Sequence, residues 1–334
     1  MLAAIFGLVG ESLTSEERRF FRDANPVGYI LFSRNVADKA QLRALTSELR
    51  ALNGRDDLPI LIDQEGGRIV RLEPPLWPQF PGGAPFDALY EIAPMSAIEA
   101  IRANSEAIAL VLSEVGVSVN CLPLLDVRQP GAHDIIGDRA LGSEPMRVAA
   151  LGRAVLDGLA LGGCVGVVKH IPGHGRSMAD SHLELPVVDA GEAELEIDIA
   201  PFAALADAPM AMTAHVVYTA WDNLRCATLS SYVIDTIIRG RIGFSGLLMS
   251  DDIDMKALAG SPGEKAAAAV AAGCDLALDC WGRMDDMVEI AAAVGEMSDE
   301  GGRRLGVAMA SAQAPQPDRF DELVAKRDAL LAYA

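Results

Sequence analysis

The segment that most constrains the fold reads VGVVKHIPGHG and runs from Val165 to Gly175. Its first four residues are continuously apolar, which is typical of a parallel strand that is covered on both faces. The segment then changes to lysine, histidine and glycine, as expected where a buried strand ends in a loop at a functional surface. It therefore predicts a central parallel strand whose carboxyl end carries reactive side chains.

Seven further apolar runs, separated by amphipathic segments, repeat this organisation along the chain. Thr14 opens a capping box for the first helix, and Asp38 and Gly54 predict the start and end of the second. Eight strand-then-helix units predict an α/β protein with a (β/α)₈ TIM-type barrel, and a doubly wound open sheet is the alternative that the pattern leaves open. The predicted strands are Ala3–Val9, Gly28–Phe32, Pro59–Asp63, Ser118–Cys121, Val165–Lys169, Met210–Thr213, Gly246–Ser250 and Asp275–Asp279.

The length and composition suit one large soluble domain. The chain has 334 residues, of which 51% are hydrophobic and 22% charged, and barrels of this size commonly form a single unit. We therefore predict one barrel domain over residues 1–334, with helices from about 303 to 334 packed on it.

Charge and cysteine content restrict the partners and the compartment. The formal net charge of −19 repels nucleic-acid phosphates and anionic lipid, so we predict neither a nucleic-acid partner nor a membrane anchor. Five cysteines, without regular spacing, are interpreted as free thiols in a reducing compartment. The apolar run after Met1 meets Glu11 too early for a signal peptide, and we expect a cytoplasmic protein.

Polar side chains follow five consecutive predicted strands, from the third to the seventh. Parallel barrel strands present their carboxyl ends to one face, and barrel enzymes carry their chemistry there. Because charge at the buried end of a strand is costly unless it is used, we interpret these residues as one functional site. In strand order they are Asp63, Glu65 and Arg71; Asp126 and Arg139; Lys169, His170, His174, Asp180 and His182; His215; and Asp251, Asp252 and Asp254.

These residue types allow more than one chemistry. A carboxylate in the run from Asp251 to Asp254 could attack a sugar's anomeric carbon, but its members could also cap the next helix or hold Mg²⁺. Asp180 and His182 could form a carboxylate–imidazole pair that transfers protons. The alternative for the histidines is a metal-dependent hydrolase in which His170, His174 and His182 bind a divalent ion.

Six of these segments, in this order, resemble one known family. They are GYILFSRN at 28–35, DQEGGR at 63–68, IGDR at 136–139, KHIPGHG at 169–175, DSH at 180–182 and SDD at 250–252. The chain is similar to the single-domain bacterial β-N-acetylglucosaminidases of glycoside hydrolase family three. The histidine segment is the most specific of the six, and together they span most of the predicted barrel.

The resemblance implies a function and a set of site residues. Asp251 is implied to be the nucleophile of a retaining mechanism, and His182 its acid/base, assisted by Asp180. The residues implied to hold the non-reducing N-acetylglucosamine are Asp63, Arg71, Arg139, Lys169 and His170, with His215 near the sugar. Such enzymes need no cofactor or metal, and they release the sugar from GlcNAc-1,6-anhydro-MurNAc and its peptides during cell-wall recycling in the cytoplasm.

Two departures from the family pattern affect what is expected of the site. Ile171 replaces a phenylalanine, and Asp254 stands where relatives often carry serine. An extra carboxylate near the nucleophile is expected to disfavour its ionised form. A non-catalytic sugar-binding barrel is the remaining alternative to an enzyme.

Overall fold

The computed structural model describes residues 1–131, 134–178 and 185–333. Within these residues ten strands are numbered in chain order. They are β1 (Leu2–Gly7), β2 (Pro26–Leu31), β3 (Ile60–Ile62), β4 (Val119–Asn120), β5 (Val165–Ile171), β6 (Val187–Val188), β7 (Met210–Thr213), β8 (Val217–Tyr218), β9 (Leu247–Asp252) and β10 (Leu276–Asp279).

Ten α-helices, also numbered in chain order, connect or follow the strands in the described part of the chain. They are α1 (Ser15–Ala24), α2 (Lys39–Asn53), α3 (Ala84–Ile92), α4 (Pro94–Glu114), α5 (Pro145–Leu161), α6 (Glu192–Ala204), α7 (Pro262–Ala272), α8 (Met284–Val294), α9 (Asp299–Met309) and α10 (Phe320–Leu331). The crossover between β7 and β9 uses a π-helix, Val233–Arg241.

Eight of the strands close into a parallel barrel in the order β1-β10-β9-β7-β5-β4-β3-β2. Closure is made where β1 pairs with β10, with Ile5 opposite Leu278 and Phe6 opposite Asp279. This pairing rules out the open-sheet alternative. An open sheet has two edge strands with a free side each, whereas here every one of the eight strands pairs with two neighbours. The predicted TIM-type barrel and all eight of its strands are confirmed.

The helix signals in the sequence act as predicted at the first two helices. Thr14 Oγ1 accepts a hydrogen bond from the Glu17 backbone N–H at 3.1 Å, and the Glu17 carboxylate accepts one from the Thr14 N–H at 2.7 Å. Asp38 caps α2 by accepting from the Gln41 N–H at 2.8 Å. Gly54 ends α2 with a left-handed φ of +63°.

The third crossover differs from the prediction. The helical spacing of apolar residues over Ser96–Val115 predicts one helix here, whereas the structure has two, α3 and α4, each with a proline in its first turn. The sequence also predicts a helix over Glu144–Leu161 that starts after Ser143. In the structure the cap of α5 is Glu144, whose carboxylate accepts from the N–H groups of Met146 (3.0 Å) and Arg147 (2.7 Å). A longer side chain does here what a serine usually does.

Helices α9 and α10 pack on the barrel at its amino end and its side. Leu305 and Ala308 of α9 join the apolar cluster formed by inward-facing strand residues such as Val165. On α10, Arg327 Nη1 donates to Asn104 Oδ1 of α4 at 3.1 Å. The α9 helix therefore covers the amino end of the barrel, and the carboxyl end is where a pocket can open.

Two further findings concern the helices and the cysteines. Among the described residues, no helix is both long enough and apolar enough to span a bilayer. All five cysteines lie in the described ranges and are free, and Cys280 is the least buried of them.

Candidate active site

One pocket at the carboxyl end of the barrel collects polar side chains from several strand ends. Glu65 and His174 line it, together with apolar residues such as Ile30 and Met212. Six of the nine residues predicted for the site also line it: Asp63, Arg71, Arg139, Lys169, His170 and Asp251. The structure thus brings together residues that are almost 190 positions apart in the sequence.

The loop after β3 is organised by the buried side chain of Gln64. Its Oε1 accepts hydrogen bonds from the backbone N–H groups of Arg71 (2.9 Å) and Leu72 (3.0 Å). Its backbone N–H donates to Asn120 Oδ1 at 3.0 Å. These bonds fix the loop backbone on both sides, and the two neighbouring carboxylates, at 63 and 65, line the pocket.

A cluster of five charged side chains forms one wall of the pocket. Lys169 Nζ lies 3.0 Å from Asp63 Oδ1 and 2.7 Å from Glu65 Oε1. Arg139 holds Glu65 through two bonds, from Nε at 2.9 Å and from Nη2 at 2.8 Å. Arg71 Nη2 contacts Asp63 Oδ2 at 3.2 Å. Two anions among three cations leave this charged cluster with one net positive charge.

The members of the charged cluster keep each other ionised. Burial alone would raise the pKa of Glu65, but Lys169 and Arg139 outweigh it and hold the pKa at about 2. The same competition lowers the pKa of Asp63, where burial is opposed by Lys169 and Arg71. Burial opposes the charge on Lys169, yet Glu65 and Asp63 raise its pKa. Such mutual pairing is what makes buried charges tolerable.

The charged cluster retains hydrogen-bonding capacity for a ligand. An ammonium group has three protons, and the two carboxylates use two of those on Lys169. A guanidinium has five N–H groups, and Arg139 uses three of them, on Glu65 and on the Ile135 carbonyl. The carboxylate of Asp63 keeps lone pairs free on both oxygens. These groups can donate to and accept from the hydroxyls of a neutral, polar ligand.

Two histidines are fixed by the fully buried carboxylate of Asp126. Its Oδ1 accepts from the backbone N–H groups of His170 (3.1 Å) and His174 (2.7 Å). Its Oδ2 lies 2.8 Å from His170 Nδ1. Burial raises the pKa of Asp126, but His170 outweighs it and the pKa falls to about 2. An ionised acceptor places the proton of His170 on Nδ1, which leaves Nε2 as the atom that a ligand could use.

His174 is a second imidazole at the pocket. Its ring centroid lies 5.6 Å from that of His170, and the residue is 3% exposed. Its Nδ1 has no hydrogen-bond partner among the described residues. Burial, together with the neighbouring His170, lowers its pKa to about 4, so the ring is neutral at ordinary pH.

The three carboxylates after β9 have different positions. Asp251 lines the pocket, and its Oδ1 accepts a hydrogen bond from the Asp252 N–H at 2.8 Å. Asp252 holds the loop backbone, because its Oδ1 accepts from the N–H groups of Asp254 and Cys280, each at 3.2 Å. Asp254, the departure from the family pattern, is paired with Arg283 at 2.6 Å. Of the three, Asp251 is the carboxylate presented to a ligand.

His215 lies behind this loop and does not line the pocket. It is fully buried, with Nδ1 at 2.7 Å from Thr228 Oγ1 and Nε2 at 3.0 Å from the Asp252 carbonyl oxygen. In the structure the ring contacts the backbone next to Asp251, and its predicted position near the sugar stays a prediction. A histidine that follows a strand looks the same in the sequence whether it points into the pocket or under the neighbouring loop.

Two predicted residues and one alternative remain to be placed. Asp180 and His182 lie outside the described residues. Among the residues that the structure does describe, no three His, Cys, Asp or Glu side chains are grouped as metal ligands. The three-histidine metal site suggested by the sequence includes His182, and it therefore extends beyond the described part of the chain.

Three residues of the polar strand-end group received no role in holding the sugar from the sequence. Glu65 and Asp126 were assigned no individual role, and His174 was considered only as a possible metal ligand. Their position directly after apolar strands is the signal that placed them in the group, but the sequence does not show which cations or histidines they contact.

Known proteins resemble this chain in sequence and in fold. The family model described as "Glycosyl hydrolase family 3 N terminal domain" matches residues 6–302. A β-hexosaminidase of Alkalilimnicola ehrlichii is 41% identical over 281 residues, which are 83% of this chain and 80% of that protein.

Two solved structures of NagZ from Neisseria gonorrhoeae are similar over nearly the whole chain. The complex with N-trifluoroacetyl-D-glucosamine has a TM-score of 0.87 at 30% identity and covers 99% of this chain and 97% of the other. The complex with a zinc ion has a TM-score of 0.86 at 29% identity, with 99% and 98% covered. The family resemblance in the motifs is thereby confirmed: the chain belongs to glycosyl hydrolase family 3 and is a glycoside hydrolase.

Proposed function

We propose that this protein is a retaining exo-β-N-acetylglucosaminidase that forms a covalent intermediate on Asp251. The observation that carries the proposal is that Asp251 shares one pocket with a charged cluster suited to hold sugar hydroxyls. A nucleophilic carboxylate must lie beside the group that fixes the sugar, because attack requires the anomeric carbon to be held within van der Waals reach. The name of the A. ehrlichii relative and the glucosamine derivative bound by the gonococcal enzyme support the acetamido sugar.

The reaction proceeds by double displacement. In the first step an oxygen of Asp251 bonds to the anomeric carbon, the glycosidic bond breaks, and His182 gives its proton to the departing oxygen. In the second step His182 takes a proton from water, whose oxygen attacks the same carbon and releases Asp251. Asp180 assists by orienting the imidazole. These roles of His182 and Asp180 rest on the motif resemblance, since both lie outside the described residues.

The charged cluster and His170 hold the non-reducing sugar. Lys169 and Arg139 donate to hydroxyls while remaining charged, and Asp63 accepts from them. Each donor is already oriented by a carboxylate, so little side-chain freedom is lost when the sugar binds. His170 offers Nε2, because Nδ1 is committed to Asp126.

The proposed natural substrates are GlcNAc-1,6-anhydro-MurNAc and its peptides, which the enzyme would meet in the cytoplasm. Two observations support this choice beside the motif resemblance. All five cysteines are free, which suits a reducing compartment. Relatives to which the chain is similar over most of its length are named as β-hexosaminidases or NagZ.

The first test measures nitrophenol release from 4-nitrophenyl β-N-acetylglucosaminide and from the matching β-glucoside, each with and without EDTA. We expect cleavage of the acetamido sugar alone, with no effect of the chelator. Activity that EDTA abolishes and Zn²⁺ restores would replace the proposal by the metal-dependent one. The chelator is included because a related enzyme has been crystallised with zinc.

The second test changes the nucleophile. Asp251→Ala should lose at least about 10³-fold in kcat, because the covalent route needs this carboxylate. Asp254→Asn is the matched control, since that carboxylate lies three residues away and pairs with Arg283 at 2.6 Å. Near-normal turnover by Asp251→Ala would refute the assignment, and equal losses in both variants would indicate damage to the loop.

A further inference from the structure

His215 is connected to Asp251 by a continuous series of short hydrogen bonds. Thr213 Oγ1 lies 2.8 Å from Thr228 Oγ1, which lies 2.7 Å from His215 Nδ1. His215 Nε2 lies 3.0 Å from the Asp252 carbonyl oxygen. The Asp252 N–H in turn donates to Asp251 Oδ1 at 2.8 Å.

The direction of each bond follows from the chemistry of its atoms. A carbonyl oxygen can only accept, so the proton of His215 is on Nε2. Burial lowers the pKa of His215 against the opposing charge of Asp251, so the ring is neutral and Nδ1 is an acceptor. Thr228 must then donate to Nδ1. Its alternative acceptor, the Ala214 carbonyl oxygen, is more distant at 3.2 Å.

Once Thr228 has donated its only hydroxyl proton, Thr213 is the donor of the remaining bond. The Asp252 carbonyl oxygen therefore selects one tautomer of His215, and the two threonine hydroxyls supply the donor that Nδ1 needs in that tautomer. In the other tautomer Nε2 would carry a lone pair facing a carbonyl oxygen, which is repulsive. The series is thus ordered in one direction, from Thr213 to the loop.

Asp252 is also held on its other side. Its carboxylate accepts from the Cys280 N–H at 3.2 Å, so the residue spans from the end of β7, through His215, to the end of β10. Both anchors act on the residue whose N–H contacts Asp251. The orientation of the Asp251 carboxylate therefore depends in part on His215, which does not line the pocket itself.

We propose that His215 is a positioning residue, which fixes the Asp251 carboxylate for attack through the backbone of Asp252. The inference rests on the proposed role of Asp251 as nucleophile. It predicts that loss of the Nε2 donor slows the reaction without weakening sugar binding. Misplacement of a nucleophile by about 1 Å can reduce the rate about a hundredfold.

Two amide variants separate the two ring nitrogens. His215→Gln places an amide N–H near the position of Nε2 and keeps the donor to Asp252. His215→Asn reaches only as far as Nδ1, so it keeps the contact with Thr228 and loses that donor. We expect His215→Asn to lose about a hundredfold in kcat, and His215→Gln to lose less than about tenfold.

The controls measure binding, folding and the nucleophile separately. The dissociation constant for N-acetylglucosamine, by titration calorimetry, should stay within about threefold of wild type in both variants. Thr219→Val is the matched threonine control, because Thr219 Oγ1 bonds to Asp189 at 2.7 Å on an exposed loop. Thr228→Val should lower kcat, and Thr219→Val should not.

The outcomes distinguish this inference from its premise. Weaker sugar binding with unchanged kcat in His215→Asn would make His215 a binding residue and overturn the inference. Equal kcat losses in the Asn and Gln variants, in proportion to their losses in melting temperature, would also overturn the inference, because they would indicate a general loss of structure. If Asp251→Ala retains turnover, the premise itself fails; if that variant is inactive while His215→Asn matches wild type, only the positioning role fails.

Discussion

Removing one charge from the charged cluster should destabilise the protein by an amount that the structure allows us to work out. Glu65→Gln keeps the size of the side chain but removes the anion shared by Lys169 (2.7 Å) and Arg139 (2.8 Å). The pKa of Glu65 falls from 4.5 to about 2 on folding. That shift corresponds to about 3 kcal/mol at neutral pH, and breaking a buried ion pair typically costs about 3–5 kcal/mol.

The sign of the pH dependence follows from the lowered pKa. The stabilisation by Glu65 is fully present above its unfolded pKa of 4.5 and is lost as the pH falls through about 2. The difference in unfolding free energy between wild type and Glu65→Gln should therefore be about 3 kcal/mol at pH 6. It should shrink to about 1.5 kcal/mol at pH 3.

Urea unfolding at these two pH values, followed by intrinsic fluorescence, measures the difference. Glu16→Gln is the matched control, because Glu16 is exposed on α1, and its effect should stay within about 0.5 kcal/mol. The variant should also lower kcat/KM, since Lys169 and Arg139 lose the partner that orients them. A difference below about 1 kcal/mol at pH 6, or one that does not change with pH, would refute the reasoning.

Three further changes test other parts of the structure. Burial and the nearby Asp279 raise the pKa of Asp252 to about 7, so this group contributes stability that is lost as the pH rises through 7. The melting temperature of Asp252→Asn, measured relative to wild type, should therefore be higher at pH 8.5 than at pH 5.5. The reverse order would contradict this. Gly175→Ala should lower the melting temperature by several degrees, because the added Cβ would lie 1.9 Å from the Val127 carbonyl oxygen; an unchanged melting curve would count against that contact. Thr14→Ala should cost about 1 kcal/mol in urea unfolding through loss of the capping box, whereas Thr14→Ser should not.

The fold could be predicted because each barrel strand carries its own local signal. Continuous apolar runs such as Val165–Val168 cannot be placed on a half-exposed sheet, and eight of them in alternation with helices leave few architectures. The ends of the strands were less predictable where a loop begins before the predicted strand ends. The predicted strand Pro59–Asp63 is reduced to Ile60–Ile62, since Asp63 belongs to the pocket. Helix α3 was not predicted; it has only nine residues and begins directly after Gly82 and Gly83, which are residues typical of turns.

The sequence predicts most of the residues that line the pocket, but it does not predict which of them contact each other. Residues such as Lys169 and Asp63 are visible as charges at strand ends, but their pairing spans 106 positions, and no local pattern encodes it. Glu65 and Arg139, which are 74 positions apart, illustrate the same limit. The position of the His215 ring depends on its hydrogen bonds to Thr228 and to the Asp252 carbonyl oxygen, and the sequence does not show either contact.

The mutual pairing in the charged cluster has a consequence for kinetics. Because the pKa values of Asp63 and Glu65 are lowered and that of Lys169 is raised, these groups do not titrate between pH 5 and 9. Inflections in a rate-against-pH curve within that range therefore originate outside these groups, for example at Asp252 with its pKa of about 7. The groups proposed to hold the sugar therefore keep their charges over this range, and a bell-shaped profile would record the titration of other groups, such as Asp252 and the residue that transfers the proton.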